Sequence, residues 1–354
     1  MGMALRSGGL LVLLALPAVA SAFWLQTGLF TMAAAIAAVG LTMLVGDAGQ
    51  LSLGHAFFVA IGAYAYSFLA GAGETFGVGG GEGLSWPPLL AMVAAVLIAG
   101  IAGALFSPIA GRVRGIYLGI ATLGLVFIGQ HLLKNVKPLE PVSGGFNGRS
   151  VPAFNLFGFE FDSLERLWYL GLVLVVFSMW YARNLKRGRS GRALEAVRDS
   201  EIVAGVMSIR VGVVKAQAFT VSSMYAGLGG VLVALTFRHI VPEAFGFPYS
   251  LDLLAMAVIG GLGSVGGAVL GSAFVTVLPL VFNQYADAIP LIAPIGSGGF
   301  DAATAARVLY GAAVVVALMY LPNGLAGIRR TRRIKPGETT RGNGEEGLLL
   351  PAEN

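Results

Sequence analysis

A chain of 354 residues that is 56% hydrophobic and 12% charged falls well short of the roughly 25% charge typical of soluble domains, so water is not its main solvent. It has no cysteine, which excludes disulfides, thiol redox chemistry and cysteine metal sites; His55, His131 and His239 stand far apart in no metal-ligand spacing, so neither a metal nor another cofactor is expected. The net charge of +5 is assigned to basic loops that set membrane topology rather than to a nucleic-acid partner.

Arg6, the apolar run 10–16 and the small residues Ala18, Ala20, Ser21 and Ala22 have the layout of a signal peptide. The many apolar segments that follow make an uncleaved first helix the expectation. Segments suited to crossing a bilayer lie at 8–25, 29–45, 53–71, 87–106, 115–133, 166–182, 216–236 and 304–321; each approaches the roughly 20 residues that a helical crossing needs. Stretches such as 169–181 are apolar throughout, without the alternation of a membrane β-barrel. The expected fold is an all-α polytopic membrane protein, a bundle of about eight to ten transmembrane segments, with residues 1–328 as the membrane domain and 329–354 as a basic, then disordered tail.

Charge sets the orientation. Glu74 and Glu82 share one loop, Arg112 and Arg114 the next, and the connection 183–215 holds Arg183, Lys186, Arg187, Arg189, Arg192, Arg198, Arg210 and Lys215. Basic loops mark the cytoplasm, which places both termini inside and the 134–165 loop outside. The basic tail around Arg329 and Lys335 fits only if 251–282 does not act as one crossing. Five glycines between 260 and 267 are a poor helix interior, so 251–282 is expected to enter and return from the outer side as two helical pieces, or else to form two short spans. Broken backbone at membrane depth is tolerated where protein or a water-filled cavity surrounds it, which marks the break as a candidate pathway element.

Three segments carry candidate function. In 46–55, Gln50, Ser52 and His55 are placed to hydrogen-bond across the bundle or to a solute, or merely to build a turn and a helix start. A cytoplasmic helix over 191–206, capped by Ser190, carries an apolar face on Ala193, Val197 and Ala204; it lies on the membrane surface or docks into a partner. The third is the glycine break, with Gly260, Gly261, Gly263, Ser264, Gly266 and Gly267, read either as packing or as pathway. No GxxxxGK[ST] phosphate loop occurs, so the chain does not bind nucleotide in that manner. The apolar segments are nearly free of Asp, Glu, Lys and Arg, with Asp252 and Arg307 near segment ends, which disfavours an ion-gradient transporter, and no catalytic constellation argues for an intramembrane enzyme.

The runs GDAGQLSLGHAFFVAIGAY at 46–64, GRALEAVRDSEIVAGVMSIRVGVVKAQAFTVSSMYAGLGGVLVAL at 191–235 and AVIGGLGSVGGAVLGSAF at 257–274 resemble, in order and spacing, the branched-chain amino acid permeases of bacterial ABC importers, of the LivM type. The resemblance covers about 30 to 330. It implies an inner-membrane half-transporter working with a second homologous permease, two cytoplasmic ATPase subunits and a periplasmic solute-binding protein, whose identity sets the solute among branched-chain or other amino acids, urea and short amides. It also implies that 191–206 couples to the ATPase through Arg192, Glu195, Arg198, Glu201, Ala204 and Gly205, although Ile202 and Val203 interrupt the EAA-type pattern of such importers. On that reading Glu201→Lys uncouples ATP hydrolysis from uptake and leaves insertion intact, which paired assays of the two activities measure.

Overall fold

The computed structural model describes residues 13–71, 83–113, 115–156, 158–284 and 324–331, with isolated helical residues between 308 and 319. The expected start of the first segment, the Glu74/Glu82 loop, Arg114, most of 304–321 and the tail beyond 331 lie outside them. The main helices are α1 (Ala22–Thr42), α2 (His55–Ala70), α3 (Pro88–Arg112), α4 (Ile116–Asn135), α5 (Leu164–Arg187), α6 (Arg189–Asp199), α7 (Glu201–Val206), α8 (Val211–Phe237), α9 (Phe247–Gly260), α10 (Val265–Gln284) and α11 (Gly324–Thr331). Among the described residues five helices are long and apolar enough to cross a membrane, and α2, α9 and α10 are shorter apolar helices. The chain is an all-α polytopic membrane protein.

Burial sorts the helices into layers. The most apolar windows of α1 and α8 are each 78% buried, against 28% for α4, so α1 and α8 form the centre and α4 lies at the rim. Helix α8 packs on α1, α2 and α3, while α10 packs on α1 and α9. Lipid offers no hydrophobic drive between helices, so close approach through small residues takes its place. A methyl group added at Gly62 would lie 2.1 Å from the Gly227 carbonyl oxygen, and one at Gly230 would lie 2.0 Å from that of Val59. Helices α2 and α8 therefore meet backbone to backbone.

The bundle has two chemically distinct ends. At the basic end α1 and α5 finish and α6 and α7 lie across the bundle. At the opposite end, β1 (Arg149–Ser150) pairs antiparallel with β4 (His239–Ile240), and β2 (Phe154–Leu156) with β3 (Phe159–Phe161). Arg238 reaches Asp162 at 3.0 Å there. Lys134 reaches Glu243 at 2.5 Å, and its ammonium holds the Glu243 carboxyl below the ordinary carboxylate value.

Two boundaries differ from expectation. The first two segments do not divide near 25–29: a 3-10 turn at Leu16–Ala18 holding Pro17 ends the leading segment, and α1 starts at Ala22. Gly28, within α1, admits the Trp168 ring, which a methyl group there would meet at 2.2 Å. The single helix over 191–206 is two helices, because Ser200 is extended and its hydroxyl accepts the Val203 N–H at 3.3 Å, capping α7. Ser190 lies inside α6 rather than at its cap.

The expected break of 251–282 into two helical pieces is present as the pair α9 and α10. A methyl group at Gly260 would lie 2.3 Å from the Gly267 carbonyl oxygen, and one at Gly271 would lie 2.1 Å from that of Met256, so the pair is a tight antiparallel hairpin. It enters and returns from the opposite end, yet its turn reaches the basic end rather than stopping at mid-depth. Gly261 and Gly263 make that turn with φ of 105° and 77°, which side chains other than glycine adopt only with strain.

Replacing Gly230 by Val should force α2 and α8 apart and destabilise the bundle by about 1–3 kcal/mol. Gly124→Ala, at a position with nothing within 4 Å, should leave stability unchanged or slightly raised. Thermal unfolding in detergent compares the two.

Candidate functional site

The glycine turn and the end of α1 meet. After Thr42 the helix widens into one π turn, Met43–Asp47, a distortion frequent at functional positions. A methyl group at Gly46 would lie 2.1 Å from the Gly263 nitrogen, so only glycine lets the turn seat here. The Thr42 hydroxyl accepts the Gly263 N–H at 3.1 Å. Lys186, in the last turn of α5, donates to the Asp47 carboxylate at 2.7 Å and also to the Gly263 carbonyl. Both backbone polar groups of Gly263 are thus satisfied by α1 and α5, and Asp47, only 3% exposed, has its charge matched. Removing one member of such a buried pair leaves an uncompensated charge.

The basic connection is tied to the same place. Arg198 of α6 donates from Nη1 to the Gly46 carbonyl at 2.9 Å and from Nε and Nη2 to Asp199 at 3.0 and 2.9 Å. Gly49, at φ 66°, lies against the Arg198 side chain. On α7, Glu201 pairs with the buried Lys215 of α8 at 2.6 Å. The two short helices therefore hold the bundle at two points, the end of α1 through Arg198 and the start of α8 through Glu201.

These contacts divide the residues expected to face an ATPase. Ala204 is buried, Glu201 is half-buried in its ion pair, and Arg198 is turned in towards Gly46; Arg192, Glu195 and Gly205 are exposed. Glu201→Lys would oppose a second ammonium to the buried Lys215, so the charge reversal disturbs the fold as well as any docking. The outward face of α7 is apolar instead, with Ile202 80% and Val206 82% exposed and Met207 just beyond. Lys186, Asp47, Thr42 and Lys215 were not singled out by sequence. Asp47 lies inside the 46–64 run, and Lys186 is hidden in a run of arginines whose charge reads as topology.

Gln50, Ser52 and His55 are all buried beside this junction, in and after the non-helical link from α1 to α2. Ser222 gives its hydroxyl proton to the Gly40 carbonyl at 2.8 Å. With its proton given to Gly40, the Ser222 hydroxyl oxygen accepts from His55 Nε2 at 3.3 Å, which leaves Nδ1 of the neutral ring as an acceptor. That Nδ1, both amide atoms of Gln50 and the Ser52 hydroxyl have no protein partner. Buried polar groups are normally satisfied, so four such atoms within six residues set this link apart from the rest of the described bundle. The glycine segment contributes differently. Gly260 and Gly267 pack the hairpin, Gly261 and Gly263 form its turn, the Ser264 hydroxyl accepts the Gly267 N–H at 3.1 Å, and Gly266 faces open space.

A family model described as branched-chain amino acid transport system / permease component matches residues 24–321. The chain belongs to that family. Among its relatives, the high-affinity branched-chain amino acid transport system permease protein LivM of Salmonella typhimurium is 30% identical over 93% of this chain and 76% of its own length. LivM of Escherichia coli is 34% identical over 72% of this chain and 63% of its own length, and LivH of Escherichia coli 24% identical over 71% and 82%. No solved structure matches the chain. In this permease the 46–64 and 257–274 runs thus prove to be the two sides of one contact.

Asp47→Asn and Lys186→Met should each destabilise the permease by about 3–5 kcal/mol, and the double variant should recover a large part of that loss. Thermal unfolding of the four proteins in one detergent measures the coupling.

Proposed function

We propose that the chain is the membrane-spanning permease subunit of an ATP-driven importer, moving branched-chain amino acids across a bacterial inner membrane. The observation that carries this reading is the family match over 24–321. The sequence supplies no phosphate loop of its own, so the energy comes from two cytoplasmic ATPase subunits. A second homologous permease completes the pathway, and a periplasmic binding protein delivers the solute. The basic end, where α11 lies against the hairpin turn, faces the cytoplasm.

In this reading α7 is the docking knuckle, presenting Ile202, Val206 and Met207 to an apolar groove on the ATPase. Movement of α6 and α7 reaches α1 and the hairpin through Arg198 and Gly46, and reaches α8 through Glu201 and Lys215. ATP acts by favouring one of two bundle states, as any ligand must to drive a conformational change. Gln50, Ser52 and His55 line the route, with their unpartnered atoms as the support, and the glycine turn bounds it. The solute is set mainly by the binding protein, so relatives of one fold can serve urea, short amides or other amino acids.

Two experiments test the reading. Purification of the tagged chain from its native membrane should bring down two ATPase subunits and a sister permease; a chain that moves solute alone on an ion gradient contradicts it. Ile202→Asp with Val206→Asp should lower solute-stimulated ATP hydrolysis and uptake by at least about tenfold, since truncation of docking hot spots costs upwards of about 2 kcal/mol, while membrane insertion and thermal stability stay unchanged.

A further inference from the structure

Where α5 turns into α6, an apolar cavity of about 160 Å³ lies between the transmembrane bundle and the helix crossing beneath it. Met43 of α1, Leu185 of α5, Leu194 of α6 and Val214, Ala218 and Val221 of α8 form its walls. The polar side chains on it are Ser190 and Gln217, of which Gln217 is exposed. An apolar cavity of about 150 Å³ stays dry and takes up hydrocarbon, so water is a poor occupant of this one.

The surroundings specify what enters it. Residues 183–192 hold four arginines, one lysine and no carboxylate. Lys186 is committed to Asp47 and Gly263. Arg187, Arg189 and Arg192 are exposed, and Arg192 donates to the Arg187 carbonyl at 3.3 Å, which gathers the corner into one cationic surface. Ser190, on the cavity wall, lies between Arg189 and Arg192 in the chain. A hydrocarbon slot beneath an arginine cluster, at the end of a membrane-spanning helix, matches an anionic amphiphile whose tail fills the slot and whose headgroup meets the guanidinium groups.

We propose that this groove is a binding site for an anionic phospholipid of the leaflet at the basic end, one acyl chain entering between α5, α6 and α8 and the phosphate resting on Arg187, Arg189 and Ser190. A bound lipid would brace α6, the helix that carries Arg198, against the bundle. The site depends on the chain being a membrane protein and is independent of the solute it moves.

Native mass spectrometry of the full chain released from nanodiscs of equal phosphatidylglycerol and phosphatidylethanolamine tests it. Phosphatidylglycerol should be retained in preference, and Arg187→Gln with Arg189→Gln, two surface changes outside the core, should reduce that retention by about tenfold. Ala218→Phe, which fills the slot, should abolish retention of either lipid. Equal retention of the two lipids by the unaltered chain overturns the proposal, as does unchanged phosphatidylglycerol retention by the arginine variant. It is also overturned if Ala218→Cys reacts with maleimide equally in detergent and in phosphatidylglycerol nanodiscs and is shielded only when an ATPase partner is present.

Discussion

The contact between Gly46 and Gly263 governs the arrangement of the basic end. Two backbones approach too closely there for any side chain, and the polar groups exposed by that approach are taken up by Thr42 and Lys186. Asp47 then matches the charge that Lys186 brings inside. Each element requires the others: without the glycines the turn does not seat, without Lys186 the turn carbonyl and Asp47 lose their donor, and without the π turn Asp47 does not reach Lys186. The pairing is not complete: Asp47 Oδ1 takes the Lys186 ammonium while the buried Oδ2 has no partner among the described residues, so the junction combines a matched charge with one unsatisfied acceptor.

The rest of the bundle supplies a rigid body for that junction to act on. Helix α8 carries glycine and alanine towards three neighbours, and the Tyr225 hydroxyl donates to the Ser178 carbonyl at 2.8 Å, tying α8 to α5. The Thr31 and Thr276 hydroxyls are hydrogen-bonded at 2.7 Å between α1 and α10. With the interior held by short contacts, α6 and α7 are tied to the bundle at two charged attachments, Arg198 to Gly46 and Glu201 to Lys215. The π turn and the non-helical link at 48–54 are the parts of α1 and α2 whose backbone is not locked by regular helical bonds.

The membrane character, most helix positions and the broken hairpin were legible in the sequence, because lipid imposes a length and an apolarity that composition carries openly. Boundaries were less legible where a residue served a partner: Ser200 reads as a helix interior until its hydroxyl is seen capping α7. Of the charged residues expected to meet a partner, Glu201 and Arg198 also make contacts within the chain, which spacing alone does not reveal, and the exposed Ile202 and Val206 of α7 are apolar. Gln50, Ser52 and His55 were visible as polar residues in an apolar run, but their unsatisfied atoms emerge only from the three-dimensional partners they lack.

The central claim is that drive applied to the short helices reaches the bundle through named charged attachments. It is tested most directly by measuring solute moved per ATP hydrolysed in proteoliposomes for Arg198→Met, a change at an exposed position that leaves the α7 surface intact. The expected result is an assembled transporter that still hydrolyses ATP and moves distinctly less solute for each ATP. An unchanged ratio would show that Arg198 and the Gly46 carbonyl carry no part of the coupling.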